Sequence, residues 1–173
     1  MGSINLVLYQ PEIPQNTGNI MRTCLATNTI LHLIEPLGFS LNEREVKRSG
    51  ANYIKDVHYL TYKNWEEFLE KNKGEMYFLS RYGLTSVHKL DVTNREKDYY
   101  FVLGKESTGI PSEILKANLE CCIRLPMTDK VRALNVSNVA AIIIYEALRQ
   151  QDFHDLSEFE PESMKGKDFL LRN

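Results

Sequence analysis

Three stretches of the chain gather polar side chains beyond what local structure requires. The first is Pro11-Glu12-Ile13-Pro14-Gln15-Asn16-Thr17-Gly18-Asn19-Ile20-Met21-Arg22. It follows an apolar run and opens a helical pattern, and a helix N-terminus offers unpaired N–H groups to an anion. Asn16, Asn19 and Arg22 recur at spacing three, which puts them on roughly one face of that helix. Asn16 can equally cap the helix, with Gly18 relieving crowding and Arg22 in solvent, and these positions alone leave both readings open.

The second stretch is Leu103-Gly104-Lys105-Glu106-Ser107-Thr108-Gly109-Ile110-Pro111. Its glycine spacing starts like a phosphate-binding loop, but Ile110-Pro111 stands where Lys-Ser/Thr is needed, so nucleoside-triphosphate chemistry is not indicated. A glycine loop that lets backbone approach a ligand remains, as does an ordinary strand-to-helix turn. On the first reading, Gly104→Val is expected to abolish binding without unfolding the protein, because the side chain would fill space the ligand needs. In the third stretch, Ile123-Arg124-Leu125-Pro126 ends a strand, and Asn135, Ser137 and Asn138 crowd the start of the longest helix. One cap would suffice there. Other chemistries fail at their own positions. A dinucleotide-binding fold asks for G-x-G-x-x-G after the first strand, where Tyr9-Gln10-Pro11-Glu12-Ile13-Pro14 has no glycine. No Ser-His-Asp signature occurs, and His32, His58, His88 and His154 show no metal-ligand spacing, so each is expected to be structural or exposed and no metal is expected.

The elements that would carry these stretches alternate. Ile4–Tyr9, Ile30–Ile34, His58–Thr61, Met76–Leu79, Tyr99–Leu103 and Cys121–Leu125 read as strands, several of them apolar throughout. Helices are predicted from Asn16 or Thr17 to about Asn28, over Asn42–Arg48, from Trp65, from Pro111 to about Ala117 with proline at its first position, and from Leu134 to Gln150. Continuous apolar strands alternating with helices predict an α/β fold around a mainly parallel sheet with helices on both faces. One domain is expected over residues 1–151, followed by a charged tail over 152–173.

Composition narrows the partners. The chain has 173 residues, 43% hydrophobic and 25% charged, with a net charge of −2, so any nucleic-acid surface must be a local basic patch. Cys24, Cys121 and Cys122 fit neither a disulfide framework nor a zinc site and are expected to be reduced. No apolar run approaches the roughly 18 residues of a membrane span. Met1-Gly2-Ser3 leads directly into a strand-like run, so a cytoplasmic protein without a secretory leader is expected.

Taken together and in order, the motifs Asn16-Thr17-Gly18-Asn19-Ile20-x-Arg22, Gly104-x-Glu106-x-x-Gly109 and Leu134-Asn135-x-Ser137-Asn138 with Tyr145-Glu146-Ala147 closely resemble the SPOUT class of RNA methyltransferases. Within it the chain is similar to the minimal tRNA (cytidine/uridine-2′-O-)-methyltransferases that act on the wobble ribose of leucine tRNAs. The resemblance runs from Ile4 to about Gln150. It implies a deep trefoil knot in the C-terminal half, a rare exception to unknotted topology, and a homodimer whose sites draw on both subunits. It also implies S-adenosyl-L-methionine as cofactor, held largely through backbone groups at Leu79, Gly104, Gly109, Ile123, Leu125, Ala133, Leu134 and Ser137. Ala133 departs from the pattern, since relatives often carry serine there. Arg22 resembles the arginine assigned to the ribose hydroxyl, with Asn16, Glu106 and Asn135 as the polar residues that complete the site. Lys47, Arg48, Lys130, Arg132 and Tyr145 are the expected RNA-contacting set. The alternatives are a sister enzyme acting on another RNA site and a non-catalytic RNA-binding homologue, from which at least one of Arg22, Glu106 and Asn135 would be expected to be missing.

Overall fold

Side chains along the first strand alternate between two apolar layers. Leu6 and Leu8 enter one cluster with Ile20, Met21, Cys24, Ala140, Ile143 and Ile144. Val7 enters another with Phe68, Phe78, Val102 and Ile110. A strand buried on both faces reads as a nearly continuous apolar run, as Ile4–Tyr9 does apart from the buried Asn5. The computed structural model describes residues 1–41 and 55–172. Within them lie strands β1 (Ile4–Tyr9), β2 (Ile30–Ile34), β3 (Tyr59–Tyr62), β4 (Glu75–Leu79), β5 (Thr85–Ser86), β6 (Tyr99–Gly104) and β7 (Cys122–Arg124). They form a sheet of order β3-β2-β1-β6-β4-β7-β5, and every recorded pairing is parallel.

Helices α1 (Pro14–Ala26) and α4 (Val136–Gln150) cover one face, and α2 (Trp65–Lys71) and α3 (Ser112–Ala117) supply the other. The mainly parallel α/β sheet expected from the sequence is therefore present. Several boundaries differ. Helix α1 begins at Pro14, and its N-cap Ile13 makes no side-chain cap, so Asn16 and Thr17 lie inside the helix and are buried. Proline suits a first helical position because its missing N–H has no partner there. Pro111 instead precedes α3 in extended conformation, and Asn135 is the N-cap of α4, so Leu134 lies outside it. Cys121 closes a short 3-10 turn before β7. The predicted helix over 42–48, with Lys47 and Arg48, lies outside the described residues.

The three cysteines are free, and burial pushes the Cys24 thiol up to about 12. Beyond α4, Phe153 and Leu156 still pack on the core. Farther on, Phe159, Met164, Leu170 and Leu171 are exposed. Among the described residues no helix is long and apolar enough to cross a membrane, and no group of three His, Cys, Asp or Glu side chains is placed to hold a metal ion.

Candidate active site

Because the strands run parallel, their carboxyl ends open on one edge of the sheet, where α/β folds bind ligands. A cleft of about 490 Å³ lies there, walled by Leu79 after β4, Leu103 and Gly104 at the end of β6, and Arg124 and Leu125 after β7. The 104–110 loop, the start of α1 through Ile13 and Asn16, and the segment 132–136 entering α4 close its sides. Each of the three polar stretches thus reaches one cavity.

Side chains tie those stretches together. Asn16 Nδ2 donates to Glu106 Oε1 at 3.2 Å, and Asn135 Nδ2 donates to Asn16 Oδ1 at 3.0 Å. Asn135 Oδ1 in turn accepts from the Ser137 N–H at 2.8 Å and the Ser137 hydroxyl at 2.6 Å, capping α4. The Glu106 carboxylate accepts the backbone N–H of Glu12 at 2.9 Å and of Ile13 at 3.4 Å. It thereby caps α1 from a loop far away in sequence, where the helix dipole favours an anion. Glu12 reciprocates, accepting the Ser107 N–H and hydroxyl, both at 2.8 Å. Those bonds hold its carboxyl below the usual carboxylate range. A Glu106 so occupied is a clamp between two loops.

Both loop glycines have positive φ, +97° at Gly104 and +78° at Gly109, a region that disfavours side chains. Their surroundings differ. A Cβ on Gly104 would stand 2.6 Å from the Tyr9 carbonyl oxygen, whereas one on Gly109 would meet nothing within 4 Å. Gly104 is therefore required by strand packing against β1. The expectation that a side chain there would block the ligand and leave the fold intact is corrected on its second part.

Of the residues singled out in the sequence, Asn16, Leu79, Gly104, Glu106, Gly109, Leu125, Arg132, Ala133, Leu134 and Asn135 line the cleft. Ile123 does not; it is a core residue whose carbonyl accepts the Ser80 N–H at 3.0 Å. Ser137 is occupied with the α4 cap and also lies outside the lining. Asn16 and Arg22 do not share a face. Asn16 is buried, while Asn19 and Arg22 are exposed and outside the cleft lining of their own chain. Six residues advance a helix by about 600°, which sets Arg22 about 120° away from Asn16. Tyr145 is half exposed on the outer side of α4, beside Phe153 and a shallow groove with Val87 and Ile142. Lys130 is exposed and outside the cleft. Two features escaped the sequence reading. Glu12 was passed over within its own motif, and the turn Ser80-Arg81-Tyr82 after β4 also lines the cleft. The signal for that turn was an apolar strand ending on charged, aromatic and glycine residues.

The family follows from this geometry and from sequence comparison. A profile of the SpoU rRNA Methylase family matches residues 3–145. The chain belongs to the SpoU rRNA methylase family. A relative from Bacillus subtilis, named for tRNA (cytidine(34)-2′-O)-methyltransferase activity, is 49% identical over 155 residues, which cover 89% of this chain and 97% of the relative. Another with that name, from Saccharophagus degradans, is 40% identical over 86% of this chain and 96% of its own. A solved RNA methyltransferase from Bacillus anthracis superposes with a TM-score of 0.87 at 52% identity, covering 92% of this chain and 100% of that one. A structure described as giving insight into 2′-OH methylation of C/U34 on tRNA superposes at 0.80 with 37% identity, covering 87% and 97%.

Proposed function

We propose that this chain transfers a methyl group from S-adenosyl-L-methionine to the ribose 2′-hydroxyl of the wobble nucleotide, C or U, of a tRNA, with leucine tRNAs as substrates. The observation that carries the reading is the hydrogen-bonded set Asn16, Glu106 and Asn135, which joins all three motifs at the cleft. It is supported by relatives of 40–53% identity named for tRNA (cytidine(34)-2′-O)-methyltransferase activity.

The cleft suits the cofactor. Its volume falls within the roughly 300–1,000 Å³ of small-molecule sites. Leu79, Leu103, Leu125 and Leu134 offer apolar walls, and the backbone at Gly109 is open. When bound, the cofactor supplies an electrophilic methyl on its sulfonium. The protein's part is to position and polarise. Arg22 donates to the ribose oxygen and stabilises the negative charge that develops there. A guanidinium keeps its proton and is no base, so the proton leaves to a phosphate or to water. Asn16, bonded to Glu106 on one side and to Asn135 on the other, holds the 104–109 loop against α1 and α4.

Arg22 lies outside its own chain's cleft, which supports a homodimer in which Arg22 of the partner subunit completes each site. A trefoil knot is part of the same reading. The segment 90–95 straps the end of α4. Gln150 donates to the Leu90 carbonyl at 2.9 Å and accepts from the Val92 N–H at 2.9 Å. Gln151 donates to the Val92 carbonyl at 2.8 Å, and Arg95 bonds the Gln151 carbonyl. The same reading takes the protein to be cytoplasmic.

S-adenosyl-L-homocysteine should raise the thermal midpoint, since a ligand that binds only the folded state stabilises it. Arg22→Ala should still bind it but lose most methyl transfer. A shift from NAD or ATP but none from S-adenosyl-L-homocysteine would overturn the assignment. Near-wild-type activity of Arg22→Ala would remove the role given to the arginine. Mapping the 2′-O-methylated nucleotide lost from the RNA of a deletion strain identifies the substrate.

A further inference from the structure

The turn after β4 carries an aromatic ring that the fold has no use for. Tyr82 is 67% exposed at the mouth of the cleft. Its backbone is nonetheless fixed: the Tyr82 N–H donates to Ser80 Oγ at 3.2 Å and the Gly83 N–H to the Ser80 carbonyl at 3.1 Å. The Ser80 N–H is itself held by the Ile123 carbonyl. Gly83 is seated so closely on β7 that a Cβ there would stand 2.5 Å from the Ile123 carbonyl carbon. The ring is held as well. The Arg81 guanidinium lies 4.6 Å from its centroid and bonds its hydroxyl, while Arg124 bonds the Arg81 carbonyl. Arg81, Arg124 and Arg132 all line this cleft, giving a basic rim on a chain of net charge −2.

A rigid, exposed aromatic framed by arginines matches the chemistry that captures an unpaired nucleobase. The ring offers a π-face to any base, and the guanidinium groups meet the flanking phosphates. We infer that Tyr82 is a stacking platform for a nucleobase of the single-stranded RNA segment that enters the cleft. The proposal rests on the reading of the chain as an RNA methyltransferase and adds a substrate-positioning residue to it. The cofactor's adenine is the competing occupant. It is better served by the enclosed walls at Leu103 and Ile110, which are 1% and 6% exposed, than by a ring lying mostly in solvent.

The test compares wild type, Tyr82→Ala and Tyr82→Phe for binding of a fluorescently labelled anticodon stem-loop RNA across a salt series, with S-adenosyl-L-homocysteine affinity measured in parallel. Stacking on one ring predicts an RNA Kd about tenfold weaker for Tyr82→Ala, restored by Tyr82→Phe. The slope of log Kd against log salt should stay unchanged, because no phosphate contact is lost. Cofactor affinity should stay within about twofold of wild type. Unchanged RNA affinity in Tyr82→Ala, failure of Tyr82→Phe to restore it, or a loss confined to the cofactor would each overturn the proposal. A wild-type protein that binds the cofactor but no RNA would overturn the methyltransferase reading as well, which separates the two failures.

Discussion

Asn16 is 7% exposed and uses both ends of its amide, donating to Glu106 and accepting from Asn135. That arrangement needs a group with a donor and an acceptor side by side, which a carboxylate cannot provide. Asn16→Ala should cost about 1–3 kcal/mol in urea denaturation, because two partners lose a bond in a poorly solvated place. Asn16→Asp should be worse at pH 8 than at pH 5, since it sets a second carboxylate beside Glu106 and protonation of one relieves the repulsion. An Asp variant as stable as wild type at pH 8 would show that the amide donates nothing to Glu106. The glycines give a second contrast. Gly109→Ala should cost only about 1 kcal/mol, for its backbone conformation. Gly104→Ala adds a collision with the Tyr9 carbonyl and should lower the midpoint much further. Equal effects in thermal melts would refute this assignment of the two roles.

At the level of elements, β1, β2 and β6 were legible because burial on both faces writes a largely apolar run, broken only at Asn5 in β1 and His32 in β2. The two-residue β5 was not, since Thr85-Ser86 carries no apolar pattern. The start of α1 was misread because its true cap, Glu106, is 94 and 93 positions from the Glu12 and Ile13 amides it holds, and local rules look only a few residues ahead. The strand order, with β6 inserted between β1 and β4, is likewise a long-range fact. Inside β2 sits a polar group that an apolar run conceals. His32 is 2% exposed, with Nε2 against Asn5 Oδ1 of β1 at 3.0 Å and Nδ1 against the Tyr62 hydroxyl of β3 at 2.9 Å. Asn5 Nδ2 is occupied with the Ser3 and Tyr99 carbonyls, so its oxygen faces the ring and His32 carries its proton on Nε2. Burial, and secondarily the charge of His58, lowers the imidazole to about 4. The unfolded chain therefore binds this proton more readily than the folded one below about pH 6.5. The resulting stability is complete above that pH and is lost as pH falls toward 4, by up to about 3 kcal/mol. His32→Gln, which can keep hydrogen bonds but does not titrate, should lie closest to wild type in stability at pH 4–5 and farthest below it at pH 7–8. A gap independent of pH would mean that the imidazole titrates normally.

For the whole molecule, the unresolved demand is on α4. Ala140, Ile143, Ile144, Ala147 and Leu148 face the sheet and α1, yet Ile142 and Tyr145 remain 42% and 50% exposed on the opposite side. A helix apolar on both sides is ordinarily covered on both. The exposed α1 residue Arg22 gives a chemical reason for a second copy to supply the cover. An exposed Ile142→Glu change should alter the stability of a single chain by only about 0.5 kcal/mol but place an unpaired charge in the contact between copies. It is expected to sediment as a monomer at micromolar concentration and to lose methyl transfer, while wild type sediments as an active dimer. Sharing of sites can then be read by mixing two inactive variants. Arg22→Ala keeps an intact cleft, and Leu134→Arg blocks the cleft but keeps its arginine. Each mixed dimer contains one cleft intact and facing an intact arginine. Random pairing at equal amounts makes about half the dimers mixed, each with one of two sites complete, so activity should recover to about a quarter of wild type. If each site drew its arginine from its own chain, no pairing would restore activity. A mixture that stays inactive while both variants remain dimeric would remove the shared site, and a fully active wild-type monomer would remove the dimer with it.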